Sequence, residues 1–296
     1  MSYVYLSIAL LAGATKGYCG KRTSGRIAGW HDAILASFIR MLLCVILGLG
    51  FVAMGGNWHG MVPDGKELFI YALSGISTSI FVVTWLVSVR TSAYVLMDVF
   101  LTLGVIVPMS LSSVCYGEAI RWNHWLGLAI LLGATLILGS FNNGIKQALT
   151  VKGFCILLLS GAANGITDFS QKMFQKEVTD ATVSVFNFYT YVISAATLGA
   201  FLLFAKRDKD SQQGAGAIKQ IFGYVLVMAL CLFLNSYFMT LAAAGIPSSV
   251  LYPMQKGIAL ILSGLMSTLF FQEKMTSKAI LGLVLAFVGL LVTNML

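Results

Sequence analysis

Five ionisable side chains stand inside long apolar stretches of the sequence: Lys16, Arg40, Asp98, Asp168 and Lys256. A charge at the centre of a hydrocarbon layer costs roughly 3 kcal/mol even on mild scales, so such residues face protein or a wet cavity and are functional candidates by default. Their chemistry is electrostatic. Lys16, Arg40 and Lys256 could hold an anionic group, while Asp98 and Asp168 could balance them or meet a cationic one. Asn164 lies one helical turn before Asp168 and shares its face. Trp85, Asn235 and Tyr237 could complete a pocket, which needs apolar walls and a few directed polar groups. The competing structural reading makes the charges buried ion pairs that fix helix packing, with long side chains reaching for an interface. Arg40 suits both readings equally, and Asp168 has Lys172 four residues on as a simple packing partner. Aromatic residues such as Trp85 and Tyr237 also serve packing.

Other chemistries have little to stand on. His31, His59 and His124 fall in predicted loops or at span ends, so no intramembrane metal cluster or histidine-based catalytic set forms. No phosphate-cradling glycine loop is present, so nothing in the sequence predicts work driven by bound ATP. Cys19, Cys44, Cys115, Cys155 and Cys231 lie in or beside apolar segments without a CxxC pair, and read as small buried hydrophobes. The expectation is no enzyme, no cofactor and no metal.

The elements that carry these residues follow from composition. The chain has 296 residues, 58% hydrophobic and 10% charged, with a mean hydropathy of +0.88. Soluble domains carry about 25% charge. A soluble globule could not cover so much apolar surface, which excludes a soluble enzyme, a nucleic-acid binder and a disordered chain. A membrane helix needs about 20 apolar residues. That template predicts ten spans at 3–20, 33–53, 68–89, 92–115, 124–141, 152–172, 181–204, 221–243, 248–271 and 279–295. They are apolar almost all round, so helix is dictated by backbone hydrogen bonding in lipid. The non-basic start Met1-Ser2-Tyr3 and the interruption at Lys16 predict a retained first span rather than a cleaved signal.

The halves repeat. Leu11-Ala12-Gly13-Ala14-Thr15-Lys16-Gly17 aligns with Leu159-Ser160-Gly161-Ala162-Ala163-Asn164-Gly165. Glu118 followed by Leu126-Gly127-Leu128 aligns with Glu273 followed by Leu281-Gly282-Leu283 at identical spacing. Five spans per half is odd, so the second half enters from the opposite side. The predicted fold is an all-α membrane protein, ten transmembrane helices as two inverted five-helix repeats, 1–145 and 146–296. Inverted-repeat transporters bind substrate near the midplane and alternate access to it. The glycines Gly13, Gly17, Gly161 and Gly165 form small-xxx-small patterns that let helices approach closely.

Two stretches carry a family resemblance. One runs from Thr91-Ser92-Ala93 through Gly117-Glu118 to Trp125-Leu126-Gly127, the other from Pro247-Ser248-Ser249 through Glu273 to Leu281-Gly282. On these the chain resembles the ten-span EamA-type members of the drug/metabolite transporter superfamily. The resemblance implies that spans 1, 3, 4, 6, 8 and 9 line a central cavity. The chain departs from the pattern in its late Pro108, its early Pro253, and Gln272-Glu273 without the usual glycine.

Let face A be the side bearing the loop after the first span, and face B the side bearing the termini. At about 1.5 Å per residue, Arg40 lies about 12 Å and Asp98 about 9 Å from face A, roughly level with Lys16. Lys256 lies about 12 Å from face B, with Asn164 and Asp168 at similar or shallower depth. Inversion separates Asp98 from Lys256, so no direct pair between them is predicted. Glu118 and Glu273 sit at span ends, in solvated turns or as helix caps. Loops on face A hold twelve Lys and Arg and those on face B four, which places face A in the cytoplasm. The family resemblance implies the reverse.

The residues thus predict a secondary transporter in the plasma membrane, moving a small polar metabolite with an anionic or zwitterionic character. Its partners are that small-molecule substrate and the lipid bilayer, not nucleic acid, with a coupling ion as a further candidate. A carrier of phosphorylated or nucleotide-linked sugars, and a non-transporting lipid-handling or scaffold protein, are the alternatives.

Overall fold

The computed structural model describes residues 1–23, 30–56, 58–90, 94–139, 151–204, 214–271 and 277–293. Glu273 and the loop residues Arg26, Lys146, Lys206, Arg207, Lys209 and Lys274 lie outside them. Among the described residues the regular structure is entirely helical. The helices are α1 (Ser2–Thr23), α2 (Trp30–Gly55), α3 (Gly65–Arg90), α4 (Tyr94–Gly104), α5 (Ile106–Tyr116), α6 (Trp122–Gly139), α7 (Val151–Glu177), α8 (Val183–Phe204), α9 (Gly214–Ala243), α10 (Ser248–Phe271) and α11 (Ser277–Thr293). A 3-10 turn, His59–Met61, sits between α2 and α3.

Nine of the ten predicted spans appear as one helix each. The fourth is two, α4 and α5, divided at Val105. The cause is Pro108: its ring nitrogen cannot donate to the Gly104 carbonyl one turn back, and the ring crowds that carbonyl. The Val105 amide turns instead to the Thr102 oxygen in a tighter turn. Pro253 lies inside α10 without dividing it. Among the described residues six stretches, including Trp30–Gly55, Gly65–Ser88 and Met97–Tyr116, are long and apolar enough to cross a membrane. The chain is an integral multi-pass membrane protein.

The packing runs crosswise between the halves. The helix α1 lies along α9, α3 along α7, α2 along α8 and α6 along α11. Apolar residues fill these seams, with Tyr71, Tyr191, Tyr252, Phe186 and Phe233 wholly enclosed. In one close seam the broken fourth span meets α7. A Cβ on Gly161 would collide with the Phe100 carbonyl oxygen, and one on Gly104 or Gly165 with the partner helix's glycine backbone. Only residues without side chains allow that approach. Gly17, by contrast, faces open space.

Hydrogen bonds and ion pairs tie the helices together at face B. Lys66 at the start of α3 pairs with Glu177 at the end of α7, and Tyr189 donates to the Met61 carbonyl. Lys172 Nζ stands 2.6 Å from Glu118 Oε1 and donates to the carbonyls of Ala243 and Ile246, each at 3.0 Å. The other carboxylate oxygen of Glu118 accepts the Ser248 amide at 2.7 Å, on the first residue of α10. An anion there complements the exposed N–H groups and dipole of a helix start.

Candidate functional site

Four of the five intramembrane charges, Lys16, Asp98, Asp168 and Lys256, lie on α1, α4, α7 and α10. Asp168 on α7 accepts a hydrogen bond from Asn164 Nδ2 at 2.8 Å, as the four-residue spacing on one helix face requires. Lys256 Nζ on α10 reaches 3.7 Å from the same carboxylate oxygen. Tyr252, one turn before Lys256, donates its hydroxyl to the Asp168 backbone carbonyl. The helix α10 therefore grips α7 twice, by charge and by hydroxyl. Lys172, four residues beyond Asp168, takes Glu118 instead.

Lys16 occupies the other side of this cluster. Its ammonium lies 5.9 Å from the ring centres of both Phe81 and Trp85 on α3, at the outer edge of cation–π range. Among the described residues no carboxylate lies within ion-pair distance of it. It is within electrostatic reach of Lys256, Asp168 and Arg40. Asp98 is partly exposed, has no ion-pair partner among the described residues, and feels the Lys256 charge. No direct Asp98–Lys256 pair forms among the described residues.

The aromatic and amide candidates divide. Trp85 is buried with the outer edge of its ring against α1, where a Cβ on Gly20 would collide with it. Asn235 donates to the Ala9 carbonyl at 2.6 Å, clasping α9 to α1. Tyr237 is built into an aromatic group with Phe51, Phe233 and Phe238. Arg40 stands apart, 2% exposed on α2, in a narrow cleft with Thr23, Ala36, Leu86, Ile221, Val225 and Met228.

Sequence reasoning missed several polar groups here. Tyr252 and Phe81 touch the charged residues directly, and Gln255 keeps a buried side-chain oxygen without a partner. Ser77 on α3 meets Thr167 on α7 at 2.8 Å, stitching these two helices together. Gln255 beside Lys256 and Thr167 beside Asp168 carried a signal, a polar residue adjacent to an intramembrane charge, whereas Tyr252, Phe81 and Ser77 carried none of that kind.

A cluster of opposed charges beside aromatic rings, set between helices from both halves, has the chemistry that binding a polar solute inside a membrane bundle would require. The sequence of its second half agrees with that. Residues 151–295 match the model of the EamA-like transporter family, part of the drug/metabolite transporter superfamily. That half is similar to the members of this family. It supplies Asn164, Asp168, Tyr252 and Lys256, so most of the charged cluster falls in the EamA-like segment. A solved crystal structure is similar along the whole chain, with a TM-score of 0.74 and 12% sequence identity. It covers 99% of this chain and 96% of that one, and this likeness bears on the fold alone. No curated protein matches the sequence.

Proposed function

We propose that the protein is a secondary transporter that carries a small anionic or zwitterionic metabolite across the plasma membrane by alternating access. The observation that carries this reading is Lys16. It is an intramembrane cation with aromatic rings for company and no carboxylate at ion-pair distance among the described residues, facing the Lys256–Asp168 pair. A cation held inside the membrane without a partner is costly, and a substrate carboxylate would supply the partner. An ammonium on the same substrate would meet Asp168 or Asp98.

The division into two inverted repeats, 1–145 and 146–296, belongs to this reading. Its support is the exchange pattern of the packing: α1 on α9 has its counterpart in α7 on α3, and α2–α8 and α6–α11 each pair one helix with its own counterpart. The family match beginning at residue 151 fits the same division.

The test is uptake of labelled amino acids and small carboxylates into proteoliposomes containing wild type, Lys16→Ala or Lys256→Ala. The expected result is loss of at least tenfold in transport by both variants with the protein still folded. Unchanged transport with lowered thermal stability would return both lysines to helix packing and sink the reading.

A further inference from the structure

Arg40 presents a problem that the central cluster does not solve. Its side chain is 2% exposed, and neither Nε nor Nη2 has a hydrogen-bond partner. A guanidinium cannot escape burial by giving up its proton as a lysine can. The nearest polar neighbours give no relief. Cys44 Sγ is turned to the Ala229 carbonyl at 3.3 Å, and the Tyr191 hydroxyl to the Leu232 carbonyl. Among the described residues, no carboxylate stands within ion-pair distance of Arg40. Yet the residue lines a cleft between α1, α2, α3 and α9, formed by Thr23, Ala36, Leu86, Ile221, Val225 and Met228. The Thr23 hydroxyl is already committed to the Cys19 and Gly20 carbonyls.

We infer that this cleft is a binding site for a small inorganic monoanion of halide size, held by the Arg40 guanidinium. The chemistry follows from the walls. One fixed positive charge balances one negative charge, so a divalent anion would arrive with an uncompensated charge in an apolar setting. The walls offer few hydrogen bonds, so an entering anion must shed water with little return except at Arg40. Selectivity then follows the ease of dehydration, with bromide and chloride ahead of fluoride. The narrowness of the cleft disfavours bulky organic anions. This site is distinct from the substrate site proposed around Lys16 and Lys256. The two communicate, because Lys16 lies within electrostatic reach of Arg40. An anion on Arg40 offsets the repulsion between these two cations.

The experiment is thermal unfolding of the detergent-purified protein at constant ionic strength, titrating chloride against gluconate, with bromide, fluoride and sulfate as comparison salts. The expected result is a saturable rise in midpoint with chloride and bromide, and none with fluoride or sulfate. Arg40→Met should lose the chloride dependence while remaining at least as stable as wild type in gluconate, since it removes an unpaired buried charge. Arg40→Lys should keep a weaker dependence. No difference between chloride and gluconate in the wild type would overturn the site, as would an unchanged chloride response in Arg40→Met. The readout is binding, so it stands or falls separately from transport through Lys16 and Lys256.

Discussion

Lys172 and Glu118 form an ion pair at 2.6 Å, with their side chains only 3% and 11% exposed. They come from α7 and from the turn before α6, and each has further duties. Lys172 also satisfies the carbonyls of Ala243 and Ile246 at the end of α9, and Glu118 caps the first amide of α10. Four chain segments thus share two side chains at face B.

Removing one partner of such a pair leaves a buried charge behind. Glu118→Ala is expected to destabilise the folded protein by about 3 kcal/mol. Glu118→Ala combined with Lys172→Met should cost less than the separate effects added together, because the stranded ammonium is gone. Thermal unfolding of the two single variants and the double variant measures this, and strict additivity would show that the pair is not coupled.

Acid should expose the same carboxylate. Burial raises the Glu118 pKa, but the hydrogen bonds from Lys172 and Ser248 outweigh it and hold the group below its usual 4.5. A pKa lower in the folded state than in the unfolded state stabilises above the unfolded value, and that stabilisation is lost as pH falls through the folded one. Glu118 therefore contributes no pH dependence between neutrality and about pH 5.5, and its share of stability disappears below the usual carboxylate range. Unfolding midpoints of wild type and Glu118→Gln across pH 3 to 8 test the sign: the acid limb of the variant should be flatter. Identical acid limbs would remove Glu118 from the account.

The glycines divide into two kinds. Gly161→Ala puts a methyl group into the Phe100 carbonyl, where backbone must move, and an overpacked seam of this type costs about 1–3 kcal/mol. Gly17→Ala meets open space and should be neutral or stabilising by up to about 1 kcal/mol through helix propensity. Unfolding of the two variants side by side checks the contrast, which fails if both behave alike.

Much of the fold could be read from hydropathy, because lipid leaves a long apolar segment no choice but helix. The bond from Asn164 to Asp168 was also legible, since four-residue spacing on a helix fixes it. Pairings between helices were not. Lys172 has the right spacing for Asp168, but Glu118 approaches it from a turn fifty-four positions earlier, and Lys256 claims Asp168 from α10. Local spacing says which residues share a face; it says nothing about which loop folds over that face. The break at Val105 was written in Pro108 all along, although its consequence depends on where the freed carbonyl goes. Arg40 was visible as a buried charge, whereas its lack of a partner needed coordinates.

The glycine seam between the fourth span and α7 sets a mechanical condition. Where carbonyl oxygens rest directly against bare α-carbons, the surfaces interlock with no side chain between them to swing aside. Helix α4 and helix α7 can separate or travel together, but they cannot glide past one another. Because α7 carries Asp168 and is gripped by Lys256 and Tyr252 of α10, three helices from the two halves are yoked into a single moving part.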